Sequence, residues 1–342
     1  MVANVAVGRR WAHLAIDLLA GFSAGITFLI GALDLAGAGL FPASLVGQNR
    51  LPFDVGWMAT ALAAAVLAYK PVRERISRIL PVDPDNPVHS FALVLAVLLL
   101  GTQLISSAFI SLSASTPLSL ADVIAEQLSL LVLALAGVGL FIRRDFAQAA
   151  SRLGLVAPAW WHIVLAVAAA GVFFFLSQAM VAASHTFTPD VAKQVDSSTQ
   201  RLFAALDNPW GIAALALAPG ICEEILFRGA IQPRLGIIAT ALLFASVHTQ
   251  YALSLDTMAV FVIAIGLGLI RKFTNTTTSS ICHISYNLLI GIGIASSQMA
   301  GAIGIEALLI AVSVSAVWAN RRRMAAAGEA LTTRIGVHES NE

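Results

Sequence analysis

Long apolar stretches, broken at short intervals by clusters of Arg, Lys and Asp, dominate the chain. The hydrocarbon core of a bilayer takes about 20 apolar residues per helix, and windows of that length give about ten candidate spans. They are centred in 14–35, 53–69, 89–112, 123–142, 160–183, 209–227, 235–251, 253–270, 279–299 and 303–318. A chain that crosses lipid this way must satisfy its backbone internally, so the expected fold class is all-α, a polytopic transmembrane helical bundle.

Loop charges give the orientation, because Lys and Arg gather on the cytoplasmic side of short loops. Arg9/Arg10, the run Lys70, Arg73, Arg75, Arg78, then Arg143/Arg144/Arg152, Arg228/Arg234, Arg271/Lys272 and Arg321 to Arg323 fall on alternate loops, which predicts two cytoplasmic termini. Arg9 and Arg10 resemble a signal-peptide n-region, but the apolar run passes Gly31 with no small-residue cleavage site, so the first span is expected to be retained. On the opposite side the longest loop, 184–208, interleaves Asp190, Lys193, Asp196, Arg201 and Asp207 with Phe187, Val191, Val195, Leu202 and Phe203. That mixture suits either a short surface helix shielding a site from above or a solvated connector. The clearest linkers are 81–87 and 143–158, and the main boundary is placed at the second. This divides the chain into N-terminal helices over 1–150, a helical unit over 155–320 and a cytoplasmic tail over 321–342.

Composition supports the membrane class and removes others. Of 342 residues 58% are hydrophobic and 11% charged, against roughly 25% charged in soluble domains. The net charge of +1 leaves no broad basic face for nucleic acid. Cys222 and Cys282 are too few for a disulfide framework and read as small buried thiols. No internal repeat is visible, which weakens a secondary-transporter reading.

Ionisable side chains in hydrocarbon are costly and usually face the bundle interior. They gather in the second half. In Glu223-Glu224-Ile225-Leu226-Phe227-Arg228-Gly229, an α-helical Glu224 and Arg228 lie about 40° apart, an i,i+4 pair with the acid on the N-terminal side. Glu224 is therefore expected to be neutralised by Arg228. Glu223 points elsewhere, about 140° from Arg228, and is the carboxylate left for chemistry. Phe244 and His248 share one helix face, and so do His283 and Asn287. Singly, each histidine reads as a hydrogen-bonded packing residue and Asn287 as a helix-to-helix contact. Together, a carboxylate, two imidazoles and an amide on three helices form a set that can activate water and hold an oxyanion. Asp17, Asp34, Glu126, Asp256 and Glu306 are the other acids in apolar segments, most of them near enough to a helix end to reach headgroups.

The ordered triple EExxxRG, FxxxH and HxxxN, each in its own apolar segment, resembles the CAAX-protease and bacteriocin-processing (CPBP, or Abi) family of intramembrane proteases, of the Rce1-like kind. The resemblance is specific over 208–300 and vaguer back to 155. It implies an eight-helix-type protease core within 155–320, water activation by Glu223 with His248, and positioning of water or oxyanion by His283 and Asn287. It also implies a shaping role for Glu224 and Arg228, and packing for Phe244. The first four or so spans exceed that core and match nothing.

Two histidines and a glutamate are also a catalytic zinc set, with Glu223, His248 and His283 as its ligands. No HExxH pair is present, and using Glu223 as a ligand removes the obvious base, so a metal-free glutamate mechanism is favoured over zinc. The expected partners are the lipid bilayer and a membrane-associated protein or peptide substrate. The competing readings are a proton-coupled transporter, in which the same acids and histidines form a relay, and a catalytically silent scaffold or immunity protein.

Overall fold

A computed structural model describes residues 2–110 and 116–339. The end of the span expected over 89–112 and the last three residues of the tail lie outside the described residues. The described chain is helical and contains no strand. α1 (Val2–Ala6) leads into α2 (Arg10–Leu33), which ends in a π-helical turn, Asp34–Ala38. α3 (Ala43–Val46), α4 (Arg50–Val66), α5 (Lys70–Ile76), α6 (Pro87–Phe109), α7 (Leu120–Val138) and α8 (Phe146–Leu153) complete the first half. The second half holds α9 (Trp160–Phe187), α10 (Pro189–Phe203), α11 (Pro209–Glu223), a π-helical segment (Glu224–Ile231), α12 (Gln232–Ser246), α13 (Leu255–Phe273), α14 (Thr276–Ile292) and α15 (Met299–Glu339).

Several helix starts follow from local chemistry. Asn86 and Asn208 cap α6 and α11 ahead of a proline in the first turn, where the missing N–H costs nothing. Ser119 with Asp122, and Asp145 with Gln148, form capping boxes on α7 and α8, each satisfying first-turn donors reciprocally. Ser254 and Asn275 cap α13 and α14.

The expectation of about ten spans is not met on length and composition. Six stretches qualify: His13–Ala38, Pro87–Phe109, Leu120–Val138, Trp160–Phe187, Pro209–Ser246 and Ser296–Arg323. A seventh arises if Ala43–Val66 and Lys70–Ile76, bent by 88°, count as one. The shortfall has physical causes. α14 has only 17 residues, and α13 carries Asp256, Arg271 and Lys272 at its ends. The two spans expected over 209–227 and 235–251 lie in the single stretch Pro209–Ser246. That stretch is not a straight rod. Phe227 and Phe244 would lie about 25 Å apart along one α-helix, yet their ring centroids are 5.2 Å apart. The chain folds back at Gly236, whose φ of +77° is open to glycine at little cost.

Between helices in lipid there is little hydrophobic drive, so close packing at small residues has to hold the bundle. A Cβ on Gly220 would stand 2.5 Å from Ile284 Cγ1, which brings α11 against α14 one turn from Glu223 and Glu224. Likewise a Cβ on Gly229 would meet the Leu153 carbonyl at 2.9 Å, seating the π-helical segment on α8. Thr276 closes the same corner, donating from Oγ1 to the Leu153 carbonyl at 2.6 Å. One buried apolar cluster joins Ala134 and Val138 of α7 to Leu153, Phe227 and Phe244, across the expected boundary near residue 150.

Of the acids outside the motifs some are engaged, while Asp54 is fully buried with both carboxylate oxygens unpartnered among the described residues. Asp17 pairs with Arg73 at 3.4 Å and the fully buried Asp34 with Arg50 at 3.0 Å. Asp256 accepts from Ser184 and Ser254. Two depart from the headgroup expectation. Glu306 is buried against Gly171, and Glu126, an exposed residue of α7, lines a large open cavity.

Candidate active site

Pro219 lies within α11 and cannot donate to the carbonyl four residues back, that of Leu215. Asn287 Nδ2 takes that freed acceptor at 3.2 Å. The amide thus makes the helix-to-helix bond expected of it, from α14 to α11, and keeps one N–H uncommitted. Beyond Glu223 the helix widens to i→i+5 bonding over Glu224–Ile231, a rare form often found at functional sites.

Glu224 is completely buried. Its Oε1 lies 3.3 Å from Arg228 Nη1 and accepts from His283 Nδ1 at 3.0 Å, while Oε2 accepts from the Ser279 hydroxyl. The i,i+4 ion pair is present although the segment is π-helical, and Nη1 is not aligned for a hydrogen bond within it. Arg228, equally buried, donates from Nη2 to the Ala264 carbonyl at 3.3 Å and stacks 4.3 Å over the Phe244 ring. Phe244 therefore packs against charge as well as against Phe227. His283, expected to position water or oxyanion, is fastened through its Nδ1 to Glu224.

Glu223 differs from its neighbour. Its side chain is buried, Oε1 accepts from Gln127 Nε2 at 3.1 Å, and Oε2 has no hydrogen-bond partner among the described residues. Gln127 comes from α7, in the half that matched nothing by sequence, and the sequence reading missed it. One signal was available. Glu126-Gln127 interrupts an otherwise apolar run, and an acid was noted there without its neighbour.

His248 is not on the helix face assigned to it. The last helix of the fold-back ends at Ser246, and His248 follows with non-helical φ and ψ of −89° and 56°. Its depth follows from the reversal at Gly236, which returns Phe244 to Phe227 and carries His248 with it. The Nδ1 of His248 lies 2.8 Å from the Phe244 carbonyl. A carbonyl only accepts, so Nδ1 carries the proton and Nε2 is the free basic nitrogen. By the same argument the proton on His283 Nδ1 points at Glu224 and leaves Nε2 outward. The Phe244 ring touches both imidazoles, at 4.8 Å from His248 and 5.9 Å from His283 between centroids. His248 also stacks parallel to Tyr251 at 6.4 Å.

Glu223, His248, His283 and Asn287 all line one cavity of about 1480 Å³. Glu126, Gln127, Tyr251 and Tyr286 share its wall. The loop over 184–208 does contain a helix, α10, whose Leu202 and Phe203 also line the cavity. Leu118 N–H donates to the Leu202 carbonyl at 2.8 Å and ties that helix to the start of α7.

The zinc alternative can be tested on the donor set. Among the described residues no three His, Cys, Asp or Glu side chains come together in a group able to hold a metal ion. Glu223, His248 and His283 do not fit as ligands of one ion in this arrangement, and no step is derived through a metal.

No curated protein and no solved structure matches the chain. Residues 205–289, which contain Glu223, Glu224, Arg228, His248, His283 and Asn287, match the model of the Rce1-like type II CAAX prenyl endopeptidases, a family of membrane-embedded proteases.

Proposed function

We propose that this chain is an intramembrane endopeptidase hydrolysing a peptide bond in a membrane-associated protein or peptide, with water activated by Glu223. One observation carries the reading. Glu223 lines the cavity that His248 and His283 share, and its carboxylate, fixed through Oε1 by Gln127, keeps a buried Oε2 with no hydrogen-bond partner among the described residues.

Water held by Glu223 Oε2 and His248 Nε2 loses a proton to Glu223 as its oxygen attacks the substrate carbonyl. The carbonyl oxygen becomes an oxyanion. The uncommitted N–H of Asn287 is its donor, and His283, oriented by the bond from its Nδ1 to Glu224, positions the attacking water. Collapse breaks the C–N bond, and the proton on Glu223 passes to the leaving amine. The basic clusters Arg9/Arg10 and Arg321 to Arg323, at the outer ends of the first and last apolar stretches, support a cell-membrane protein with both termini cytoplasmic.

The test is cleavage of a prenylated or transmembrane peptide by purified full-length protein in proteoliposomes, comparing wild type with Glu223→Gln, His248→Ala and His283→Ala, each with and without chelator. Wild-type turnover that survives chelation and disappears in Glu223→Gln is the expected result. Full activity in all three variants would sink the assignment, and loss on chelation restored by zinc would replace the glutamate mechanism with a metal one.

A further inference from the structure

The cavity that holds Glu223 is bounded at another part of its wall by arginines. Arg143, Arg144, Arg152 and Arg234 all line it, and none has a role in the hydrolytic reading. Arg144 lies within the electrostatic reach of Arg143 and Arg234, and Arg152 within that of Arg234, Arg144 and Arg271. Burial first, and these like charges second, hold the guanidinium pKa of Arg144 and Arg152 below the ordinary value.

Basic loops at a membrane surface are common, but they normally swing into solvent and relieve such repulsion. Here the main chain prevents it. Arg144 donates to the Val138 carbonyl, Arg152 to the Gly229 carbonyl at 3.1 Å, and Arg271 to the Arg228 carbonyl at 3.1 Å. The turn carrying Arg143 and Arg144 is itself constrained. Phe141 sits at φ +59°, a conformation side chains rarely adopt, held by its N–H on the Arg144 carbonyl at 2.8 Å and by Arg144 N–H on the Gly139 carbonyl at 3.1 Å. The adjacent carboxylate, Asp145, is engaged in capping α8. Among the described residues no carboxylate forms an ion pair with any of these five arginines.

Arg144 and Arg152, held by main-chain acceptors with most of their N–H donors uncommitted, share the cavity wall with the exposed Arg143 and Arg234, so four guanidiniums of one sign are available to an oxyanion. Beyond them the cavity wall is largely apolar, with Leu95, Leu130, Leu133 and Leu243 among its members. The ligand that satisfies both parts is an amphiphile with an anionic head. We propose that Arg143, Arg144, Arg152 and Arg234 bind the phosphate of an anionic membrane lipid whose acyl chain enters the apolar part of the cavity. The proposal concerns binding and stands whether or not the chain cleaves peptides.

Full-length protein, purified in detergent and titrated with phosphatidylglycerol or phosphatidylcholine, is read by native mass spectrometry. Two variant pairs are compared with wild type: Arg144→Gln with Arg152→Gln, and Arg143→Gln with Arg234→Gln. The second pair consists of exposed side chains, so it separates lost binding from lost folding. Wild type should retain phosphatidylglycerol roughly tenfold or more above phosphatidylcholine, and each pair should remove most of that preference. Equal retention of the two lipids, or a preference that survives both pairs, overturns the proposal. So does displacement of phosphatidylglycerol by millimolar inorganic phosphate, which would make the site one for a free anion.

Discussion

The helices before residue 140 and those carrying the motifs handle buried carboxylates differently. In the first region Asp17 pairs with Arg73 and Asp34 with Arg50, contacts that serve helix packing, while the fully buried Asp54 keeps both oxygens without a hydrogen-bond partner among the described residues and stands outside the wall of the cavity that His248 and His283 share. In the second, Glu224 is bound by Arg228, His283 and Ser279 while Glu223, one residue away, keeps a buried oxygen with no partner. Burial alone does not mark chemistry in a membrane protein. What sets Glu223 apart is an unengaged carboxylate oxygen on a residue that lines a cavity together with two histidines, a combination that Asp54 and Glu306 lack.

The largest effect follows from that distinction. Glu223→Gln keeps the shape and loses only the base, so turnover should fall by about 10²–10⁴-fold with thermal unfolding in detergent nearly unchanged. Glu224→Ala should do the reverse. It strips Arg228, His283 and Ser279 of their common acceptor and leaves a guanidinium buried and unpaired, at a cost of about 3–5 kcal/mol. Its reading is the unfolding midpoint, and activity is lost as a consequence. If Glu224→Ala is as stable as wild type, the contrast between the two neighbours is wrong.

Much of this contrast was legible in the sequence, because i,i+4 spacing on any helical segment brings Glu224 to Arg228 and turns Glu223 away. The histidines were legible as types but not as placements. Nothing in FxxxH says that the helix ends before His248, and a straight helix leaves that residue too deep. The missing piece was a backbone reversal at Gly236, which a glycine beside Pro233 and Arg234 permits without dictating. The count of about ten spans is not confirmed for a related reason. Apolar windows measure composition, and α13 and α14 lie at the short end of the range that crosses a bilayer, α13 with charges at both ends. Gln127 was hidden because its partner lies on a helix distant in sequence.

Gln127 is also where the two regions meet, and the third prediction is aimed there. Gln127→Met keeps the volume and removes the donor to Glu223 Oε1. A hydrogen bond to a charged group contributes roughly 1.5–3 kcal/mol, so if it orients the carboxylate, kcat should drop by about tenfold or more with KM unchanged. Stability should change little, since Gln127 Oε1 is itself buried without a partner and its removal offsets the lost bond. A variant that unfolds earlier but keeps its kcat would make Gln127 a packing residue and separate α7 from the chemistry.

The smallest effect belongs to the first region. The Asp17 side chain is 40% exposed, whereas Arg73, at 9%, also donates to the carbonyls of Leu67, Ala68 and Pro84. Asp17→Asn therefore removes one partner of several, and the arginine keeps its main-chain acceptors. Pairs of this kind contribute about 0–1 kcal/mol, so the unfolding midpoint should shift by a degree or two at most and turnover not at all. Set beside Glu224→Ala, which also removes a carboxylate from an arginine, Asp17→Asn should cost severalfold less. The reason is that Arg228 has a single main-chain acceptor to fall back on and no route to water, while Arg73 has three acceptors and a carboxylate already half in solvent.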